Sequence, residues 1–207
     1  MKKRTIYTIS ELSLAMMSMF NRINEAFFNC ELEKVIITFE AGYKKGAFGW
    51  IENNKNWKQG NAERHCINIS ADYLNRPIYD IMATLIHEMC HLYAMQNNIQ
   101  DTSRSGIYHN KKFKAIGEAH GLIITEADKI GWSVTRLSEE TKQWIDENCT
   151  ISAIKLNRKI AEKATGTAKP KQSSRKYICP HCGLIVRATK ECRIQCIECN
   201  KEMVLES

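Results

Sequence analysis

The sequence predicts an α+β domain followed by a small β module stapled by metal. Three features carry that expectation. They are an apolar stripe at helical spacing near the N-terminus, a change to short β-branched runs between residues 35 and 70, and two CxxC pairs near the end. With 207 residues the chain has room for one full hydrophobic core and an appendage. Its 43% hydrophobic and 26% charged content is that of a globular chain, and ten glycines with three prolines argue against extensive disorder. The expected organisation is a main domain over 1–164, a basic linker over 165–175 and a terminal module over 176–207.

Leu12, Met16, Met19, Phe20, Ile23 and Phe27 fall on one helical face, so a helix is expected from about Ser10 to Asn29 with Ser10 as its cap. Glu11 and Ser13 interrupt the apolar run after the basic start, which argues against a signal peptide. No stretch approaches the ~18 apolar residues of a membrane span, and a cytoplasmic monomer without membrane contact is expected. Val35–Phe39, Ala47–Ile51 and Cys66–Ser70 read as three short strands, the last alternating so that Ile67 and Ile69 mark one buried face. A long helix follows Pro77, with Asp80 near its positive end. Its apolar stripe is Ile78, Ile81, Met82, Leu85, Met89, Leu92 and Met95, and the polar Gln96-Asn97-Asn98 ends it. Gln100–Gly106 is weakly structured, and further helices are expected around Phe113, Ile116 and Leu122, near 138–147, and over 150–164.

His87 and His91 lie four residues apart, which puts both imidazoles on one face of the long helix, about 6 Å apart. Two imidazoles so placed bind one zinc ion, and Glu88 beside them can take the proton of a water that the ion acidifies. Two histidines and a glutamate in an otherwise apolar helix are costly to bury without such a use. A third protein ligand is required, and His109, Glu118 and His120 are the candidates. Tyr43, Tyr93 and Tyr108 are candidates for stabilising the oxyanion of a hydrolysed carbonyl.

The run His87-Glu88-Met89-Cys90-His91-Leu92-Tyr93, the polar Asn97-Asn98 and then His109-Asn110-Lys111-Lys112-Phe113 with the later His120 resemble the SprT/Spartan family of metallopeptidases. That family carries HExxHxY, an insert, and H-G-x-x-F with its histidine as third ligand. The strand Ile67-Asn68-Ile69-Ser70 before the helix and a C-terminal zinc ribbon extend the likeness, which covers roughly residues 10–125 and 176–203. The resemblance implies a zincin-like fold, a catalytic zinc on His87, His91 and His109, and Glu88 as general base. It also implies hydrolysis of DNA-bound or DNA-crosslinked proteins. Asn110 stands where the family has glycine, and asparagine tolerates a left-handed backbone there. His120 then reads as a histidine of the core or of the layer behind the metal ligands, and His65 as a surface or strand-end residue.

Cys179, Cys182, Cys196 and Cys199 form two knuckles with 13 residues between Cys182 and Cys196, spacing that closes a tetrahedral structural zinc site. A unit of 32 residues needs such a staple. His181 and Cys192 are alternative donors, with Cys192 preferred as a spare thiol; Cys30, Cys66, Cys90 and Cys149 read as reduced, mostly buried thiols. The net charge of +7 arises in residues 155–176, where eight Lys/Arg face Glu162 alone. That segment, with Arg187, Lys190, Arg193 and Lys201 for phosphate and Tyr177 for stacking on a base, makes DNA an expected partner beside protein substrates. Two other readings are a regulatory peptidase without nucleic acid, and a nucleic-acid-binding ribbon on a non-catalytic scaffold.

Overall fold

Strand β1 (Arg4–Ile6) leads into helix α1 (Ile9–Phe27), and Thr8 rather than Ser10 caps it. Thr8 has an extended backbone; its Oγ1 accepts from the Glu11 N–H at 3.3 Å while Glu11 Oε2 accepts from the Thr8 N–H at 3.1 Å. This reciprocal pair satisfies two amides of the first turn, and Ser10 lies exposed within the helix. Leu12, Met16, Met19, Phe20 and Ile23 are buried as their spacing predicts. The computed structural model describes residues 3–42, 46–158 and 174–206, and the chain divides into two units, Met1–Ile160 and Ala161–Ser207.

In the first unit β2 (Ile36–Thr38), β3 (Gly49–Ile51), the hairpin β4 (Trp57–Gln59) and β5 (Ala62–Arg64), and β6 (Cys66–Ile69) follow. The three expected strands form one sheet in the order β2-β6-β3, with β2 parallel and β3 antiparallel to β6. Because β6 is central, Cys66, Asn68 and Ser70 are buried together with Ile67 and Ile69, so both of its faces are covered rather than the one that alternation suggests. Helix α2 (Ile78–Gln96) is capped at Pro77 and buried continuously from Ile81 to Ile86. It runs through the core and is not amphipathic at that depth.

The hairpin β7 (Thr102–Ser103) and β8 (Tyr108–His109) occupies the stretch expected to be weakly structured. Helix α3 (Lys111–Ala119) is shorter than the apolar spacing predicts. His120 is its C-cap, Gly121 has φ +87°, and Leu122 already belongs to β9 (Leu122–Ala127), which pairs with β10 (Gly131–Leu137). Helix α4 (Glu139–Asn148) matches expectation. The helix expected over 150–164 is replaced at its start by β11 (Ile151–Ile154), parallel to β1. Ile151 and Ile154 are buried and the segment pairs with Arg4–Ile6, a long-range partner that local spacing does not reveal. Residues 159–164 lie outside the described residues. The first unit is thus mixed α/β, with four α-helices and several small sheets among the described residues. Among the described residues no helix is long and apolar enough to cross a membrane.

The second unit comprises β12 (Arg175–Ile178), β13 (Ile185–Ala188), β14 (Gln195–Cys196), β15 (Lys201–Glu202) and β16 (Val204–Glu206). One sheet has the order β13-β12-β16 and the other is the pair β14-β15. Its core is Tyr177, Cys179, Cys196 and Met203. Of the linker expected at 165–175 only Ser174 and Arg175 are described, and Arg175 already begins β12.

Replacing Thr8 by Ala removes the cap of α1. Chemical denaturation should show a loss of about 1 kcal/mol, with no change in the cooperativity of unfolding.

Candidate metal centre

Helix α2 places His87 and His91 one turn apart, and the β7–β8 hairpin brings His109 to them. The Nε2 atoms lie 3.2 Å apart for His87 and His109, 3.2 Å for His87 and His91, and 3.1 Å for His91 and His109. The fully buried ring of Phe113 packs under all three imidazoles, with centroids 4.6 Å from His87, 4.6 Å from His91 and 4.7 Å from His109. His109 is held by its backbone: its N–H donates to Ile130 O at 3.0 Å, and its register partners are Thr102 in β7 and Gly131 in β10. Glu118 is exposed and pairs with Lys114 at 3.7 Å. His120 stacks on Phe28 at 4.1 Å with its Nδ1 on Ile116 O. Of the three third-ligand candidates, the fold brings only His109 to the pair.

Asp101, which sequence reasoning passed over, completes the arrangement. Its Oδ2 accepts from His91 Nδ1 at 2.6 Å, so the proton of that ring sits on Nδ1 and the Nε2 lone pair faces the other two histidines. The available signal was an acidic residue just past the end of the His-bearing helix, but its direction depends on a hairpin that periodicity does not expose. Asn110 closes the base of that hairpin: its N–H donates to Asp101 O at 3.0 Å and its Nδ2 to Gln100 O at 2.8 Å. Its Oδ1 also caps α3, accepting from Lys112 and Phe113 amides. With φ −92° and an extended backbone, Asn110 needs none of the left-handed tolerance expected of it.

The donor set fits a metal ion. Three ring nitrogens converge with too few protons to hydrogen-bond one another, whereas zinc–nitrogen bonds of ~2.0–2.1 Å in tetrahedral geometry would space them by about 3.3 Å. Burial, reinforced by the neighbouring imidazoles, holds His87 well below the usual histidine range and lowers His109 to about 4, so both are neutral at pH 7. Neutral imidazole is the form that ligates. Burial also raises the Glu88 carboxyl to about 7, partly countered by His91 and reinforced by Asp101. Glu88 Oε1 would lie 3.2 Å from a Cβ built on Gly49, and Thr84 Cγ2 only 2.8 Å away, so β3 approaches α2 this closely because Gly49 has no side chain. The result is a cleft of ≈ 260 Å³ with the histidines and Glu88 at its base, the β3 strand along one side and Thr102, Ser105 and Gly106 of the hairpin along the other.

The described tyrosines do not line this cleft. Tyr93 packs on His120 and Phe28, Tyr108 donates to Glu126 Oε1 at 3.3 Å, and Tyr43 lies outside the described residues. His65 is buried immediately before β6, which fits the strand-end alternative and not the surface one, with Nδ1 3.0 Å from Glu52 O.

In the second unit Cys179, Cys182, Cys196 and Cys199 form another group that could hold a metal, in keeping with a zinc ribbon. Cys182 and Cys196 sulfurs lie 3.7 Å apart, close to the ~3.8 Å that tetrahedral zinc–sulfur bonds of ~2.3 Å impose. The amides of Cys182 and His181 lower Cys179 to about 6, while the adjacent Cys182 thiol raises Cys199 to about 12. Four sulfurs so close cannot all ionise without a cation between them. Gly183 takes φ +72° to turn the first knuckle, letting its N–H reach Cys179 O at 3.0 Å. Cys192 and His181 are exposed and stand outside the cluster. Of the scattered cysteines Cys66, Cys90 and Cys149 are buried, whereas Cys30 is exposed. Tyr177, expected to stack on a base, is buried, and its hydroxyl accepts from the Cys192 N–H at 3.1 Å. Arg193 is paired with Glu202 at 2.8 Å, whereas Arg187, Lys190 and Lys201 are exposed.

The model of the SprT-like family matches residues 16–128. No curated protein and no solved structure matches the chain.

Asp101→Asn should weaken metal binding at the histidine trio by about 10–100-fold, read by competition with a chromogenic chelator. A second expectation concerns the metal-free protein. Glu88 binds its proton more tightly folded than unfolded, so its contribution to stability is full below about pH 4.5 and is lost as the pH rises through about 7. His87 and His109 act in the opposite sense, contributing above their ordinary value of 6.5 and losing it toward acid. Comparison with Glu88→Gln isolates the carboxyl: between about pH 5 and 8 the variant should gain on wild type by on the order of 3 kcal/mol in denaturation experiments with chelator.

Proposed function

Because this chain belongs to the SprT-like family, we propose that it is a zinc-dependent peptidase of zincin-like fold, with His87, His91 and His109 holding the catalytic ion and Glu88 acting as general base. The observation that carries this reading is the position of the Glu88 carboxyl: one residue from His87 on a buried helix, at the base of a cleft bounded by the edge of a sheet. A bound zinc ion would supply a Lewis acid that polarises the scissile carbonyl and acidifies water. Glu88 takes the proton of the attacking water on its carboxylate and delivers it to the leaving amide nitrogen. A group poised near 7 by burial exchanges a proton readily in both directions, and cation binding beside it favours the ionised form needed at the start.

The cleft suits an extended peptide. Ser70 N–H donates to Phe48 O and Glu52 N–H to Cys66 O, each at 2.9 Å, so alternate residues of β3 face β6. The backbone groups of Gly49 and Ile51 therefore face away from β6, where a substrate strand can add to the sheet edge. The second unit is proposed to be a zinc ribbon closed by Cys179, Cys182, Cys196 and Cys199. Nine unpaired thiols fit a reducing, cytoplasmic location.

The substrates proposed are DNA-associated or DNA-crosslinked proteins. Support comes from the family resemblance and from the surplus of +7 in residues 155–176. A peptidase without a nucleic-acid link is the second reading. It is favoured by the engagement of described cations of that segment: Arg158 pairs with Asp72 at 3.1 Å, Arg175 with Glu191 at 3.9 Å and Lys176 with Glu206 at 2.5 Å.

The deciding assay is cleavage of a DNA-binding protein by zinc-loaded wild type and Glu88→Gln, with and without single-stranded DNA. Wild type should cleave, faster with DNA, while Glu88→Gln retains its zinc and loses about 10²–10⁴ in rate. Glu88-dependent cleavage indifferent to DNA would select the second reading, and equal activity of the two proteins would reject the proposed chemistry.

A further inference from the structure

The course of β3 alongside α2 fixes the direction of the cleft. Arg76 stacks over Phe48 at 4.0 Å and its guanidinium donates to Thr84 Oγ1 at 3.0 Å, so Phe48 lies at the N-terminal part of α2. The next residue, Gly49, abuts Thr84 and Glu88. The strand thus advances alongside α2 in the helix's own direction. It rises ~3.4 Å per residue against 1.5 Å for the helix, so two residues of strand match between four and five of helix. Ile51, on the same face of β3 as Gly49, therefore comes level with the turn beyond Glu88. Met95 follows His91 at the spacing at which His91 follows His87, so all three share one helical face, and Met95 lines the cleft with Ile51.

We infer that Met95 and Ile51 form an apolar subsite for a substrate side chain on the N-terminal side of the scissile bond, in one of the two residues that precede it. This inference rests on the peptidase reading. The polarity follows from the sheet: a chain adding antiparallel to β3, the more stable pairing, runs from the Met95 end toward the Gly49 end. The preference follows from the lining. No Lys or Arg is among the described residues that line the cleft, and its carboxylates, Glu88 and Asp101, belong to the metal centre, with Asp101 engaged by His91. A charged side chain entering between Met95 and Ile51 would lose its hydration without gaining a counter-ion, whereas an aliphatic or aromatic one gains contact with a thioether that adapts its shape.

The test is the cleavage profile of a degenerate peptide library with the zinc-loaded full chain, compared with Met95→Leu and Met95→Glu, zinc content being measured for each. Wild type and Met95→Leu should enrich Leu, Met or Phe over charged residues about tenfold at one of the two positions before the cut. Met95→Glu, with its zinc retained, should shift that position to Lys or Arg. A wild-type profile that is flat or favours charge at both positions, or one unaltered by Met95→Glu, overturns the subsite. Should wild type cleave no peptide, the peptidase reading fails. The same library is then offered for binding to zinc-loaded Glu88→Gln with and without Met95→Glu: retention of apolar peptides that depends on Met95 upholds the subsite, and retention indifferent to Met95 overturns it.

Discussion

Three imidazoles brought within 3.2 Å of one another inside a protein are the constraint around which the first unit is built. Nitrogens at that distance gain nothing from each other. The surroundings compensate in specific ways. Phe113 packs under all three rings, Asp101 sets the tautomer of His91, and the β8 backbone carries His109 into the group. The cost of bringing these groups together is met by a helix buried from Ile81 to Ile86, whose packing supplies the rigidity that the polar cluster lacks.

The hairpin from Asp101 to Asn110 and the strand at Gly49 do complementary work. One delivers a ring and the carboxylate that orients another. The other presses the sheet edge onto Glu88 because glycine leaves room for it. The metal centre and the cleft therefore share walls: the strand that crowds the Glu88 carboxyl also lines the cleft through Gly49 and Ile51. Arg104 and Ser105 at the hairpin tip adopt φ of 51° and 55°, a conformation that side-chain-bearing residues take at a cost.

The second unit is organised on a different principle. Among its described residues the core has four buried side chains, two of them cysteines of the cluster, so the sulfur cluster replaces the hydrophobic interior that the first unit enjoys. Exposed Ile185, Ile197 and Val204 are consistent with a module too small to bury all of its apolar side chains. The same shortage takes Tyr177 inward, which removes the aromatic that the sequence offered for stacking.

What the sequence by itself determined is the chemistry carried by short-range spacing. His87, Glu88 and His91 are placed by the helical repeat, the four clustered cysteines by two CxxC steps, and the core face of α1 by its apolar stripe. Each follows from a local period that any helix or knuckle imposes. The tertiary structure alone decided the rest. On residue geometry His109, Glu118 and His120 were open alternatives, and a hairpin chose among them. Asp101 and Gly49 gained their roles from partners far along the chain. Ile151–Ile154 became a strand because β1 lay beside it, and Leu122 left a helical pattern for a sheet. In each case the deciding contact joins segments that no local period relates, and its energy exists only once the chain has folded.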